Sequence, residues 1–185
     1  MLKFKNGDTS SFDLLLDRYQ EKIIVFAQRM TGDRSEAQDI AQEVFLRVYH
    51  AAGKYQPKAK FSTYIFRIAR NLCLNRLRER KHRPFSLDCP ITTAEGRKKS
   101  RDFIDPSPHS SPRAALERKE RQILIREAVD SLPPNQKMAV ILTRYNDLSY
   151  EEASKIMGCS VGAIGLLLHR ARGTLRKVLA PHCKG

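Results

Sequence analysis

The sequence has no tryptophan, and it has only nine prolines and nine glycines in 185 residues. It lacks any apolar run of the roughly 18 residues that a membrane span requires, and its first residues contain no apolar signal segment. We therefore expect a cytoplasmic protein with no membrane span of its own. Acidic side chains are scarce, since the sequence has 20 Asp and Glu residues but 34 Lys and Arg residues, which gives a net charge of +14. Such an excess favours an anionic partner, most often nucleic acid.

Signatures of common enzymes and metal sites are missing as well. The sequence contains no P-loop, no HExxH and no GxSxG, and its five histidines are not spaced as metal ligands. The four cysteines form no CxxC pair and fit no common zinc template; they are Cys73, Cys89, Cys159 and Cys183. We therefore predict no catalytic activity, no metal and no cofactor, and we expect reduced thiols.

Helical periodicity dominates the rest of the sequence, and segments that alternate like β-strands are scarce. We predict an all-α fold of two small helical domains, residues 1–82 and 113–185. Five prolines and a basic run at 97–101 interrupt the pattern between them. Residues 83–112 are therefore predicted to form an extended, flexible linker.

Three helices are predicted in the first domain, from about Ser11 to Thr31, from Arg34 onward, and from Phe61 to about Lys81. The second of these is expected to bury Ile40, Ala41, Val44, Phe45 and Val48. Its other face carries Asp39, Gln42, Glu43 and Arg47 at spacings of three and four. Side chains so spaced can touch one partner together, although most such charged faces are simply solvated.

The third helix presents two different faces. Its apolar stripe consists of Ile65, Ile68, Ala69, Leu72 and Leu77. The other positions are basic or carry amides, namely Arg67, Arg70, Asn71, Asn75, Arg76 and Arg78, and just upstream aromatics alternate with lysines at Tyr55, Lys58, Lys60, Phe61 and Tyr64. Basic side chains hold phosphates, aromatic rings stack on bases, and Asn reads base edges. This helix is therefore predicted to bind DNA and an unstacked base.

Helical order resumes near Arg113 in the second domain. The first helix there is expected to bury Leu116, Ile123, Leu124, Ala128, Val129 and Leu132. Pro133 and Pro134 end it and start a helix that reaches Tyr145. Ser149 and Glu152 fit a capping box for a short helix that ends at Gly158. The last helix, from Val161 to about Leu179, is expected to bury Val161, Ile164, Leu168, Ala171, Leu175 and Val178.

The short helix, the glycine turn and the longer basic helix together predict a helix-turn-helix. Residues at the start of the last helix would face base edges in the major groove, namely Ser160, Gly162, Ala163 and Leu166. Those further along would meet phosphates, namely His169, Arg170, Arg172 and Arg176. A plain helical hairpin is the alternative, and the basic last helix favours DNA binding over it.

Several stretches resemble the sigma factors of the extracytoplasmic-function (ECF) type, which are two-domain bacterial transcription initiation factors. Residues 30–33 and 39–49 resemble sigma region 2.2, and residues 61–75 resemble regions 2.3 and 2.4. Region 4 is resembled by residues 131–137, 148–152, 158–162 and 169–172. In this combination and order the motifs are highly specific, and they cover nearly the whole chain outside the linker.

The resemblance implies a division of labour. Region 2.2 of the family docks on the coiled coil of the largest RNA polymerase subunit, which would make Asp39, Gln42, Glu43 and Arg47 the polymerase-binding residues. Regions 2.3 and 2.4 open the −10 element and capture a flipped base. The residues implied for this task are Tyr55, Lys58, Lys60, Phe61, Thr63, Tyr64, Arg67, Arg70, Asn71, Asn75 and Arg78.

Region 4 of the family reads the −35 element as duplex and also contacts the polymerase flap. The residues implied here are Ser160, Val161, Gly162, Ala163, Leu166, His169, Arg170 and Arg172. The expected partners are thus core RNA polymerase, promoter DNA and an anti-sigma factor.

The sequence departs from the family pattern at several positions. A tryptophan common near position 64 is replaced by Tyr64, and the usual alanine in the first helix of the helix-turn-helix is Ser154. At two later positions where the family commonly has basic residues, this sequence has Gly165 and Leu167, so two phosphate anchors are missing. We expect Leu167 to pack inward and Leu166 to be exposed, where it could touch a thymine methyl.

Two other classes of protein fit parts of the sequence. A stand-alone helix-turn-helix regulator would use the first domain as a sensor or dimer domain, but a sensor has no need of a basic and aromatic helix. An RNA-binding protein would also carry the basic charge. Binding to core polymerase and promoter-dependent transcription separate the sigma interpretation from both.

Overall fold

The computed structural model describes residues 1–57, 59–82 and 112–182, and this part of the chain contains helices and turns but no strand. The N-terminal half, residues 1–82, contains α1 (Leu2–Lys5), α2 (Ser10–Thr31), α3 (Arg34–His50) and α4 (Phe61–His82). The C-terminal half, residues 112–182, contains α5 (Pro112–Asp130), α6 (Pro134–Val140), α7 (Tyr150–Met157) and α8 (Val161–Leu179). The predicted all-α class is confirmed. The predicted linker lies outside the described residues except for Pro112.

The N-terminal half is a bundle of α2, α3 and α4, to which the short, unpredicted α1 is added. Gly32 ends α2 in the left-handed region with φ 78°, where glycine meets no steric penalty. The side chain of Asp33 then caps α3 by accepting the Glu36 N–H at 2.8 Å. All five predicted core residues of α3 are buried, and α4 adds the fully buried Ile65. The apolar stripes thus close one core, as the short connections require.

The C-terminal half ends in the predicted helix-turn-helix. A complete capping box starts α7, since Ser149 accepts the Glu152 N–H and Glu152 accepts the Ser149 N–H. Gly158 ends α7 with φ 67°, and the Ser160 hydroxyl accepts the Ala163 N–H at 3.2 Å to cap α8. The chain therefore turns tightly between α7 and α8, and both helix starts are satisfied.

The helix that follows Pro134 differs from the prediction in its second part. It is α-helical to Val140 and then widens into a π-helical turn at Ile141–Tyr145. The side chain of Asn146 donates its Nδ2 to the Ile141 carbonyl at 3.0 Å. A π turn shifts the hydrogen-bond register by one residue, and the Asn146 amide adds a side-chain hydrogen bond across this turn.

Four residues predicted to be buried are exposed instead. Leu116 and Ile123 of α5 are 58% and 45% exposed, and Val161 and Val178 of α8 are 44% and 40% exposed. Among the α5 side chains that the structure describes, from Leu116 on, the first buried one is Ala128, so the described turns before it project beyond the core. Val161 and Val178 stand at the two ends of α8, whose middle carries the buried Ile164, Leu168 and Ala171. The apolar periodicity therefore predicted the helices correctly. It did not predict how far along each helix the packing against neighbouring helices extends.

Contacts between the two halves join them into one body. Helix α4 packs along α7, and α2 contacts α6 and the π turn. Buried side chains of both halves, from Phe26 and Met30 on α2 to Met138 on α6, belong to one continuous apolar cluster. No helix in the described part of the chain is long and apolar enough to cross a membrane.

Two glycines of the helix-turn-helix offer opposite tests of this geometry. Neither would bring a new Cβ within 4 Å of another group. Gly165 lies inside α8, so Gly165→Ala should raise the free energy of unfolding by about 0.5–1 kcal/mol. Gly158 has positive φ, so Gly158→Ala should lower it by about 1–2 kcal/mol. Urea unfolding followed by circular dichroism measures both, and two changes of the same sign would contradict the assigned turn.

Candidate nucleic-acid and partner interfaces

The outer face of α3 carries the four residues predicted to bind a partner. Asp39, Gln42 and Arg47 are exposed, whereas Glu43 is partly buried. Arg47 donates its Nε to Glu43 Oε1 at 2.7 Å. Since the pair is largely exposed, it adds little to stability, and both side chains remain free to reorganise around a partner.

An apolar groove beside this face was missed by the sequence analysis. It has a volume of about 590 Å³ and is lined by residues of α2 and α3, among them Phe12, Leu16, Ile24 and Phe45. Its edge carries Leu46 and Tyr49, which are 53% and 51% exposed. The signal was present, since Asp39, Gln42, Leu46 and Tyr49 recur at steps of three, four and three. We call these four residues the α3 stripe; their spacing suits packing against another helix.

The second surface is the outward face of α4. Arg67, Asn71, Asn75 and Arg78 are all exposed, and their spacings of four, four and three place them on one line along the helix. Cations and amides in a row can follow a phosphate backbone and read base edges. We call this row the α4 face.

Aromatic side chains stand at the start of the α4 face, but they are not equally accessible. Tyr55 is only 8% exposed, and its ring lies edge-on to that of Tyr64 with centroids 5.3 Å apart. Phe61 and Tyr64 are partly buried, and Thr63 is 5% exposed. Burial raises the pKa of both the Tyr55 and Tyr64 hydroxyls. Tyr64 is thus the more accessible ring, and Tyr55 supports it from beneath. Lys58 lies outside the described residues.

Two other cations predicted to bind DNA are engaged within the protein. Lys60 donates its Nζ to Glu152 Oε1 of α7 at 2.9 Å, and this hydrogen bond is the largest cause of the lowered pKa of the Glu152 carboxyl. Arg70 is partly buried and donates to Asn71 Oδ1 at 3.1 Å, and its buried Nε–H donates to no acceptor among the described residues. Burial lowers the pKa of the Arg70 guanidinium. The electrostatic effect of Cys159, in the turn before α8, raises this pKa and partly offsets the lowering.

Not every arginine of α4 is available to a ligand. Arg80 binds Glu36 Oε2 of α3 at 2.6 Å and donates to the Thr31 carbonyl at the end of α2 at 2.9 Å. Arg76 lies 4.0 Å from the same carboxylate and 3.4 Å from Glu79. Arg80 therefore joins α4 to both α2 and α3, and Arg76 adds a longer contact to α3.

The third surface is the exposed side of α8. Gly162, Leu166 and His169 lie on one line and are exposed, as are Ser160, Arg170 and Arg172; Ala163 is partly buried. Leu166 is 50% exposed, as predicted, while Leu167 packs against the core. The opposite side of α8 is fixed by the buried Ile164 and Leu168. Such a helix presents its first turns for insertion into a major groove; we call this side the α8 face.

Two cysteines lie in the described residues, where no group of three His, Cys, Asp or Glu side chains is arranged as metal ligands. Cys73 is a fully buried free thiol of the N-terminal core. Burial raises its pKa to about 12, so the reactive thiolate is not formed at neutral pH. Cys159 is also a free thiol and is partly exposed.

A helical bundle and a helix-turn-helix with exposed basic faces define a DNA-binding protein of two modules. Residues 15–83 match the family model described as sigma-70 region 2, and residues 122–175 match that described as sigma-70, region 4. The chain is 34% identical to the RNA polymerase sigma-H factor of Pseudomonas aeruginosa over 97% of its own length and 91% of that protein. It is 33% identical to the ECF sigma factor SigW of Bacillus subtilis, over 95% and 92%.

A solved structure has a similar fold. It is that of the sigma factor RpoE in complex with the anti-sigma factor NepR from Bartonella quintana, with a TM-score of 0.69, 21% identity, and coverage of 93% of this chain and 98% of that one. The chain belongs to the ECF sigma factors of the sigma-70 family. It is a promoter-specific transcription initiation factor and not an enzyme.

The orientation of α8 can be tested with two residues two positions apart. Ile164→Ala removes a fully buried side chain and should cost about 2–5 kcal/mol of unfolding free energy. Leu166→Ala removes a half-exposed one and should change stability by less than about 0.5 kcal/mol. Thermal and urea unfolding measure both. A comparable loss in Leu166→Ala would mean that α8 is rotated and that the α8 face is wrongly assigned.

Proposed function

We propose that this protein binds core RNA polymerase through the α3 stripe and directs it to promoters by reading the −10 element with the α4 face and the −35 element with the α8 face. The observation that carries the proposal is the presence of three chemically distinct exposed surfaces on three different helices. The first is polar with an apolar edge, the second basic and rich in amides, and the third a capped helix start. Each matches one task of a sigma factor.

The α3 stripe suits a helical partner such as the coiled coil of the largest polymerase subunit. Its exposed Leu46 and Tyr49 supply apolar contact area, while Asp39 and Gln42 supply polar contacts beside them. Interfaces of this kind combine an apolar centre with a polar rim. Glu43 and Arg47 extend that rim.

The α4 face suits single-stranded DNA of a melted −10 element. Arg67 and Arg78 would hold phosphates, Asn71 and Asn75 would read base edges, and Tyr64 would stack on the flipped base. Thr63 and Tyr55 are buried, so we assign them a supporting role. Unpairing costs a few kcal/mol and stacking returns roughly 1–3 kcal/mol per base, so melting needs the polymerase as well.

The α8 face suits duplex DNA of a −35 element. Leu166 offers an apolar contact to a thymine methyl, and Ser160 a hydroxyl near a base edge. Val161, Gly162 and Ala163 allow a close approach of the helix start, and His169, Arg170 and Arg172 would contact phosphates. Two phosphate anchors of the family are absent at Gly165 and Leu167, so duplex binding by the protein alone should be weak. The phosphate contacts that remain make this binding sensitive to salt.

An anti-sigma factor is a further proposed partner. The similar RpoE structure contains one, and the exposed apolar edge of the α3 stripe would serve such a partner as well as it serves polymerase. Competition between the two would keep the protein from transcription until a signal releases it.

Reconstitution with core polymerase tests the proposal as a whole. We expect run-off transcription on a genomic promoter library to yield starts that share −35 and −10 motifs. Asn71→Ala with Asn75→Ala should flatten the −10 motif and leave the −35 motif intact, because the two faces lie on different helices. Mapping transcript 5′ ends gives the result, and the absence of any selected promoter would contradict the proposed function.

A matched pair of leucines tests polymerase docking. Leu46→Ala removes an apolar side chain of the α3 stripe and should weaken core binding about five- to tenfold, which corresponds to about 1 kcal/mol of lost apolar contact. Leu14 on α2 is even more exposed, at 68%, and does not line the groove beside α3. Leu14→Ala should therefore leave core affinity unchanged. Fluorescence anisotropy of labelled protein with core enzyme measures both, and equal effects would remove the groove from the interface.

A further inference from the structure

The guanidinium of Arg70 is held differently from those of Arg67 and Arg78 on the same helix. Arg70 is partly buried, whereas the other two are exposed. Its Nε is buried and donates to no acceptor among the described residues. Arginine binds a phosphate best through two parallel N–H groups of its planar fork. Because Nε is turned inward, the edge of the fork that contains Nε is closed to a phosphate in this conformation.

The outer part of the same guanidinium contacts the next residue in the chain. Arg70 donates its Nη1 to Asn71 Oδ1 at 3.1 Å. An asparagine amide has two orientations that differ by a half-turn and exchange its carbonyl and its amine. A guanidinium can donate but cannot accept, so only the carbonyl oxygen of Asn71 can face it. Arg70 therefore selects one of the two orientations of the Asn71 amide.

The selected orientation determines what Asn71 offers to a base. Asn71 is exposed on the α4 face, and its Nδ2 amine has no acceptor among the described residues. One lone pair of its Oδ1 is already taken by Arg70. A base that approaches this position therefore meets free N–H donors, which pair with acceptors such as thymine O4 or guanine O6.

Asn75 lies one turn further along the α4 face and is not held in this way. It is exposed, and its side chain makes no hydrogen bond within the described residues. The residue before it is Leu74, whose side chain has no donor. Its amide can turn freely and present carbonyl and amine together, which is the pattern that pairs with adenine. The two asparagines of the α4 face are thus the same residue type with different presentation.

The contact between Arg70 and Asn71 is local to α4. Both residues lie inside the helix Phe61–His82, so the helical backbone fixes the positions from which the two side chains start. The burial of Nε restrains the arginine further. An amide that is oriented before DNA arrives loses less side-chain entropy on binding than a free one. Such preorganisation favours the base that fits the orientation.

We propose that Arg70 is a positioning residue for −10 specificity, which orients the Asn71 amide so that its amine faces the base. Arg70 then contributes to base selection without touching DNA. The proposal rests on the function proposed above, because it needs the α4 face to read the −10 element. It concerns which base is preferred at one position and not whether the promoter is bound.

Selection from a promoter library by the reconstituted holoenzyme tests the coupling of the two residues. Asn71→Ala should reduce the preference at one −10 position about three- to tenfold, the range expected for one hydrogen bond. Arg70→Met keeps an unbranched apolar stem without a donor and should reduce the preference at that same position. The double variant should lose no more than Asn71→Ala alone, because both act through one contact. Additive losses, a loss at another position, or no loss in either single variant would overturn the proposal.

Asn71→Asp tests which end of the amide reads the base. A carboxylate still accepts from Arg70, but it has no donor to offer to a base. Since position 71 is exposed, this variant should fold normally, and it also keeps the proposal testable if Arg70→Met unfolds. We expect the same loss of preference as in Asn71→Ala. A preference that survives in Asn71→Asp would mean that the oxygen reads the base, which would overturn the proposed orientation.

Salt dependence separates positioning from phosphate binding. Arg67→Met is the matched control, since Arg67 is exposed on the α4 face and is assigned to a phosphate. For holoenzyme bound to a probe with a single-stranded −10 strand, Arg67→Met should reduce the slope of log affinity against log salt by about 0.7. Its −10 motif should stay unchanged, because a phosphate contact carries no base information. Arg70→Met should keep the wild-type slope, and a reduced slope with an unchanged motif would identify a phosphate anchor and overturn the proposal.

The same selection separates this proposal from the function on which it rests. Wild-type holoenzyme that selects shared −35 and −10 motifs supports the proposed function, whatever Arg70→Met does to the −10 motif. A wild type that selects no promoter would overturn the function itself. Circular dichroism and thermal unfolding of each variant check that a changed motif does not come from a damaged helix.

Discussion

The carbonyl end of α2 is the point on which the rest of the structure depends. The last turn of α2 offers backbone carbonyls that no helical N–H can satisfy, and cations from two other helices meet them. Arg80 of α4 donates to the Thr31 carbonyl, and Lys137 of α6 donates to that of Met30. One contact closes the N-terminal bundle and the other attaches the C-terminal half. The same helix end therefore organises the fold of one module and the placement of the other.

The two kinds of contact differ in what they cost to break. Arg80 belongs to a bundle whose core is continuous and buried, so its contact lasts as long as the fold does. Lys137 contacts the Met30 carbonyl beside the continuous apolar cluster that extends from Phe26 and Met30 to Ile164 and Leu168, so its contact lasts as long as the packing of the two halves does. The Lys60–Glu152 pair is different, since the Lys60 side chain is 76% exposed and such pairs contribute little. The halves are thus joined mainly by buried apolar packing, and the exposed ion pair adds little to it.

Sequence reasoning predicted the helices, their caps and the helix-turn-helix because these depend on local patterns. The predicted helix ends are found at Gly32 and Gly158, and the predicted N-caps at Ser149 and Ser160. It failed where the outcome depended on distant packing. Which helices pack against each other decides the exposure of Leu116 and Ile123 and the burial of Tyr55 and Thr63. It also decides the partner of Lys60. Periodicity defines the apolar side of a helix, but it does not define how far along its length a partner extends. Leu46 and Tyr49 were missed for a different reason, since they lie in register with polar residues and not with the core.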